Sequence, residues 1–200
     1  MDIPTIKQSI ANWHNVLNNS IKLIEYFGQG NCFNYNFIQA MGVGSDYIHA
    51  YPAVKNGQLI FLMIPSKYDT AAYATTINNY VTECDVALQL KDNRISKKEA
   101  VKRMKAWNDN YVTWTPAQVN TPAGMFQAFA IQISDFEPSA NPIRTINFGL
   151  IAQPTLAQQY TADLIVTNVE LTATYYDDMT IPVPPYGATA AQSSFYLLQL

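Results

Sequence analysis

Two cysteines and two histidines are the only residues in this chain that could form a thiol–imidazole pair: Cys32, Cys84, His14 and His49. A thiolate nucleophile needs an imidazole within hydrogen-bond reach and a third group to orient the ring. No local signature surrounds either cysteine, and their separation fits no zinc spacing. The plainer reading is a buried structural cysteine and a half-exposed histidine. His49 falls in a strand-like stretch, facing the same way as Tyr47 and Tyr51. A pocket between the first helix and this strand, lined by His49, Tyr47, Tyr51 and Cys32, is therefore the one small-molecule or enzymatic reading the sequence offers.

Carboxylate chemistry is less promising. Asp177 and Asp178 are adjacent, so in extended chain they point to opposite sides. Asp135 and Glu137 could share a strand face, but the strand pattern ends there and a solvated turn is expected. Asp46 and His49 lack a visible third metal ligand. Gly42-Val43-Gly44 has neither the third glycine of a dinucleotide fingerprint nor a following phosphate-loop lysine. Nothing in the sequence calls for a metal or cofactor.

Charge placement is the strongest non-random feature. Lys91, Arg94, Lys97, Lys98, Lys102, Arg103 and Lys105 are seven of the twelve basic residues, and with Asp92 and Glu99 the segment carries +5. The whole chain carries −3, which leaves −8 on the remainder. The plain reading is a solvated helix face held by attraction to an acidic body. The functional reading is contact with an acidic protein partner, including a second copy of the same chain docked head to tail. Nucleic-acid binding through the basic helix 91–105, with Trp107, Tyr111 or Trp114 as a stacking surface, is a further alternative. The acidic remainder repels phosphate and argues against it.

Charged residues make up only 14% of the chain, while tyrosine occurs 13 times. A typical protein has about 25% charged residues. Low charge and surplus tyrosine suit a surface that docks on protein, because less charge must be desolvated and Tyr buries much area. Tyr47, Tyr51, Tyr73, Tyr160, Tyr175, Tyr176 and Tyr186 fall in loops or on strand faces that could be wet. The loop from Tyr175 to Gly187 carries Pro182, Pro184 and Pro185, and reads either as an extended crossover or as a docking arm.

The elements that would position these residues can be outlined. Ile6, Ile10, Trp13, Leu17, Ile21 and Ile24 recur at helical steps, predicting one helix from Thr5 to Phe27, capped by Thr5 and ended by Gly28-Gln29-Gly30. Asp46–Val54 and Gln58–Ile64 read as a β-hairpin around Asn56-Gly57. The second strand is apolar throughout, which predicts burial on both faces under a helix. Pro52 in the first strand predicts an edge or a bulge. Asp69–Tyr80 reads as a helix capped by Asp69, while Val81–Leu90 is ambiguous between strand and helix. Ser96-Lys97-Lys98-Glu99 is a capping box that opens an amphipathic helix with Ala100, Val101, Met104, Trp107 and Tyr111 inside. Phe126–Ser134, Thr145–Ala152 and Asp163–Thr174 read as strands, with Ser194–Leu198 as a last edge strand.

With 200 residues and 48% hydrophobic content, the chain can bury a real core. The expected fold is α+β: a single domain over residues 1–200 with an N-terminal helix and β-hairpin, central amphipathic helices, and a mostly antiparallel or mixed C-terminal sheet. The start Met1-Asp2-Ile3-Pro4-Thr5 has no signal-peptide pattern, and no apolar run approaches a membrane span. A cytoplasmic protein is expected. The leading functional expectation is a non-enzymatic structural or protein-binding domain that self-associates. Its contacts would come from Lys97, Lys98, Lys102, Arg103, Lys105, Tyr176 and Tyr186.

Overall fold

The computed structural model describes residues 1–88, 98–136, 142–169, 174–177, 180–183 and 195–200. Lys91, Arg94, Lys97 and Tyr186, together with the first two residues of the capping box, lie outside these residues.

The predicted first helix is two helices, α1 (Ile3–His14) and α2 (Ser20–Phe27). The asparagines between them explain the break. Asn19 accepts from the Lys22 amide and caps α2, because its short amide competes for backbone donors. Asp2 rather than Thr5 caps α1, accepting from the Thr5 amide at 2.9 Å. The break shifts the helical phase. Leu23 and Phe27 face the core, and Ile21 is 71% exposed.

The hairpin forms as read. Strands β2 (Tyr47–Lys55) and β3 (Gln58–Pro65) meet at Asn56 and Gly57, both at positive φ. Strands β1 (Cys32–Asn36), β4 (Thr82–Ala87), β5 (Ala128–Gln132), β6 (Ile143–Ala152), β7 (Tyr160–Val169), β8 (Thr174–Asp177) and β9 (Thr180–Val183) complete the sheet. A short helix, α3 (Gln39–Gly42), follows β1. The long helix α4 (Lys98–Val119) lies on β6.

The strand order is β8-β7-β6-β1-β4-β3-β2-β5-β9, and every pairing is antiparallel. The α+β expectation therefore holds in coarse form. The N-terminal hairpin and the C-terminal strands share one sheet, however, and that sheet curls toward a barrel. Strands β8 and β9 are separated only by residues 178–179, yet β8 pairs with β7 and β9 with β5 at the opposite end of the order. Strand β9 also returns to within 8 Å of β7 between Cα atoms. This one stretch acts as a seam, and the nine hydrogen-bonded segments make eight staves.

An eight-stave barrel is just wide enough for its own side chains. Phe33 stacks on Phe61 at 4.3 Å between ring centroids, and Phe148 packs against both. At one mouth Trp13, Phe27, Trp107 and Trp114 close over Phe126 and Phe148. The indole N–H of Trp13 donates to the Phe126 carbonyl and that of Trp114 to the Tyr160 carbonyl, both at 3.1 Å. The void left in this aromatic core measures about 10 Å³, the scale of a single water probe.

A second apolar layer covers the outer face of the hairpin. Ile60, Leu62 and Ile64 of β3, with Tyr51 and Ala53 of β2, pack under Ile6 and Ile10 of α1, Ile77, Phe195 and Leu197. Both faces of β3 are thus buried, and α1 supplies the predicted cover. Pro52 sits in a central strand rather than at an edge. It is tolerated because β5 pairs with β2 only at Tyr47–Ala50, so beyond Ala50 only the β3 side is paired among the described residues. Two further expectations change. Asp69–Tyr80 contains short 3-10 turns at Ala71–Tyr73 and Ile77–Asn79 instead of a helix, and residues 196–199 form a 3-10 turn instead of an edge strand.

Candidate functional site

The His49 region is a buried polar network. His49 is 1% exposed, and Asp69 is fully buried. The His49 Nδ1–H donates to Asp69 Oδ2 at 2.6 Å, and the Tyr51 hydroxyl donates to the same oxygen. Asp69 Oδ1 accepts the Leu197 amide at 3.0 Å. The ring of Phe195 stacks on His49 at 4.0 Å between centroids. Burial and the adjacent Asp69 carboxylate push the Tyr51 hydroxyl well above its ordinary value. The sequence-based cap Asp69 is thus the centre of the network. Its partners come from β2 and from the C-terminal segment, which no local pattern indicates.

An Asp–His pair is two of the three members of a nucleophilic triad, but no thiol is near enough to complete it. Side chains alternate across a sheet. His49 packs in the outer layer and Cys84 in the barrel interior. Cys32 on β1 is three strand spacings from β2, about 14 Å at ~4.8 Å each. Burial also raises both thiols, Cys84 to about 12. The pocket expected between His49, Tyr47, Tyr51 and Cys32 is filled: Tyr51 is fully buried and Phe195 occupies the space above His49. Asp135, expected in a solvated turn, is buried, and its backbone carbonyl accepts from the Asn168 side-chain Nδ2–H at 2.7 Å. Among the described residues no group of three His, Cys, Asp or Glu side chains could hold a metal ion. Among the same residues no helix is long and apolar enough to cross a membrane.

The α4 surface is different. Helix α4 and the β6–β7 strand ends enclose an open groove of about 270 Å³. Ala106, Leu150 and Ala152 contribute apolar surface, with Tyr160 beside them and Lys102 and Lys105 on the helix side. The close approach of α4 depends on Gly149. A Cβ there would come within 3.0 Å of Ile165 Cδ1 and 3.4 Å of Arg103 Cβ.

The structure divides the predicted contact residues. Lys98, Lys102 and Lys105 are exposed. Arg103 is mostly buried and pairs with Glu99 at 3.3 Å and with the buried Asp163 at 3.0 Å. Lys102 lies 3.6 Å from Glu99, and Lys105 pairs with Asp109. The expected basic patch is therefore a mosaic of both signs, at least from Lys102 onward. Tyr176 is only 4% exposed and packs with Ala100 and Ile165 beneath α4, so it presents no contact surface. Trp107 is a core residue, as its place on the inner stripe predicts, and Trp114 is buried too, so neither supplies the stacking surface of the nucleic-acid alternative. Among the other tyrosines, Tyr68 and Tyr80 stack at 3.8 Å with Tyr73 edge-on to both, a half-buried cluster that the sequence spacing did not single out.

The chain has no significant match to any protein-family model, curated protein or solved structure.

Proposed function

We propose that the chain acts as one non-enzymatic, protein-binding or structural domain that docks through the α4 groove, with a second copy of itself as the first partner. The supporting observation is the groove itself. It combines an apolar base, a tyrosine and exposed side chains of both charges in one open concavity. Such a mixture suits a polypeptide, which brings apolar side chains, amides and charges together. The barrel interior and the His49 network are filled by the chain's own side chains. That favours surface contact over an enclosed reaction centre. Lysines and carboxylates that line the groove together offer a second copy of the chain both signs of charge to pair with. A nucleic-acid surface has less support, since Trp107 and Trp114 on α4 are buried and its described cations are largely paired.

The test is solution mass by light scattering after size exclusion, at low and high salt. A defined oligomer is expected at low salt. It should dissociate at high salt, where the screening length falls to about 3 Å at 1 M, and in the triple variant Lys98→Glu, Lys102→Glu, Lys105→Glu. An oligomer that survives both changes removes the lysines from the interface. A monomer at both salts rejects self-docking.

A further inference from the structure

The tip of the β2–β3 hairpin is held by a side chain from outside it. Asn56 and Gly57, both exposed, turn the chain at φ 53 and 78. Gln29, just past the end of α2, spans this turn. Its Nε2–H donates to the Gly57 carbonyl at 3.1 Å, and its Oε1 accepts the Leu59 amide at 2.7 Å. Strand β3 pairs with β4 only from Ile60 to Met63, so the Leu59 amide lies beyond the last rung. Leu59 is buried, and without Gln29 that amide would lack an acceptor. The clamped turn also carries a reactive pair, the Asn56 side-chain amide carbon and the Gly57 backbone nitrogen. A Cβ built on Gly57 meets nothing within 4 Å, so that nitrogen is unhindered.

We propose that Asn56 is a self-modification site, cyclising onto Gly57 and ending as aspartate or isoaspartate, and that the Gln29 clamp holds it closed. The Gly57 nitrogen gives up its proton to water and bonds to Asn56 Cγ. The side-chain nitrogen leaves as ammonia, and a cyclic imide remains. Water then opens the imide at either carbonyl. Opening at the side-chain carbonyl gives aspartate, and opening at the main-chain carbonyl gives isoaspartate, with the chain rerouted through Cγ. No electrons change hands, and water is the only co-reactant. The folded turn blocks the first bond. In a mirror-image turn of this kind ψ at Asn56 is about +30°, which places the Gly57 nitrogen roughly anti to Cβ across the Cα–C bond. Ring closure needs the two nearly eclipsed. The peptide plane must therefore swing round, and the swing carries the Gly57 carbonyl off Gln29. The two products differ in consequence. Asp-Gly suits the same turn. Isoaspartate adds a main-chain carbon to the loop between Lys55 and Gln58, whose length sets the β2–β3 register.

The test follows the full chain and two variants, Gln29→Ala and Gln29→Glu, during incubation in mildly alkaline buffer. Peptide mapping by mass spectrometry reads the conversion of Asn56, and an isoaspartyl methyltransferase assay counts isoaspartate. Gln29→Ala removes both bonds across the turn, so Asn56 should convert about tenfold faster, the ratio for two neutral hydrogen bonds of modest net strength. Gln29→Glu keeps the acceptor for Leu59 and loses the donor to Gly57, and its rate should fall between. Asn18, exposed between α1 and α2, should convert at one rate in all three chains. The wild-type chain unfolded in urea should convert Asn56 at least about tenfold faster than the folded chain. Any of three results overturns the proposal. One is an Asn56 rate that is the same in the wild type and in both variants. Another is an unfolded chain that converts Asn56 no faster than the folded one. The third is an acceleration in both variants no larger than their unfolded fractions, read from urea titration, account for.

Discussion

Asp69 concentrates three hydrogen bonds on one buried carboxylate, from the His49 ring, the Tyr51 hydroxyl and the Leu197 amide. Removing it leaves all three donors buried without an acceptor. Asp69→Ala should therefore lose about 3–5 kcal/mol of stability, the range for breaking a buried pair from one side. Asp69→Asn, which keeps an acceptor oxygen but not the charge, should lose less. Urea unfolding checks both, and a loss below about 1 kcal/mol in the alanine variant would show that the network is not holding the C-terminal segment. At this scale the sequence was only half legible. His49 stood out as a rare titratable residue, and its neighbour Tyr51 was placed on the same strand face. Asp69 read as a helix cap, because a short polar residue before Thr70 and Ala71 has the composition of a cap. Its real partners lie 20, 18 and 128 residues away in sequence.

The elements divide by how local their causes are. The hairpin was readable because Asn56-Gly57 dictates its own backbone geometry. Helix α4 was readable from its apolar stripe, and β3 from its unbroken hydrophobic run. The α1–α2 break was missed because the apolar spacing continues through it, while the asparagines that cause it looked like an outer face. Strand β1 was missed because Cys32–Asn36 is short and takes its pairing from β4 and β6, both distant in sequence. Strand β9 was read as a proline-rich loop because Pro182 cannot donate, yet β9 pairs with a single neighbour and tolerates it. Gly30, read only as part of a helix stop, has a second cause at this scale. A Cβ there would lie 2.4 Å from the Ala87 carbonyl oxygen at the end of β4. Gly30→Ala should force the β1–β4 entry apart and destabilise by about 1–3 kcal/mol, the usual cost of overpacking. A urea midpoint equal to wild type would mean that the entry shifts freely.

Taken whole, the molecule keeps acidic protons inside its layers. Burial raises the Cys84 thiol from 9.0 to about 12. Desolvation likewise lifts the Tyr35 hydroxyl and, with the Asp69 charge, the Tyr51 hydroxyl above the ordinary 10.0. Each group holds its proton more tightly folded than unfolded. The stability this contributes is complete below the unfolded values and drains away as pH rises through them toward the folded ones. Urea stability should therefore be level up to about pH 9 and fall steeply from there to pH 12. The thiol's share is at most about 4 kcal/mol, at ~1.4 kcal/mol per pH unit. In Cys84→Ala the decline from pH 9 should be shallower, because only the Cys32 thiol then contributes below the tyrosine range, and an unchanged slope would exclude the Cys84 thiol. The seam has a consequence in time. A ribosome releases residues in order, so β5 and β7 emerge before residues 174–183 that finally join them. Until that last stretch arrives, the nascent sheet has two open edges, each able to pair with a strand from a neighbouring chain. The step that closes the barrel is also the step that ends its exposure to aggregation during synthesis.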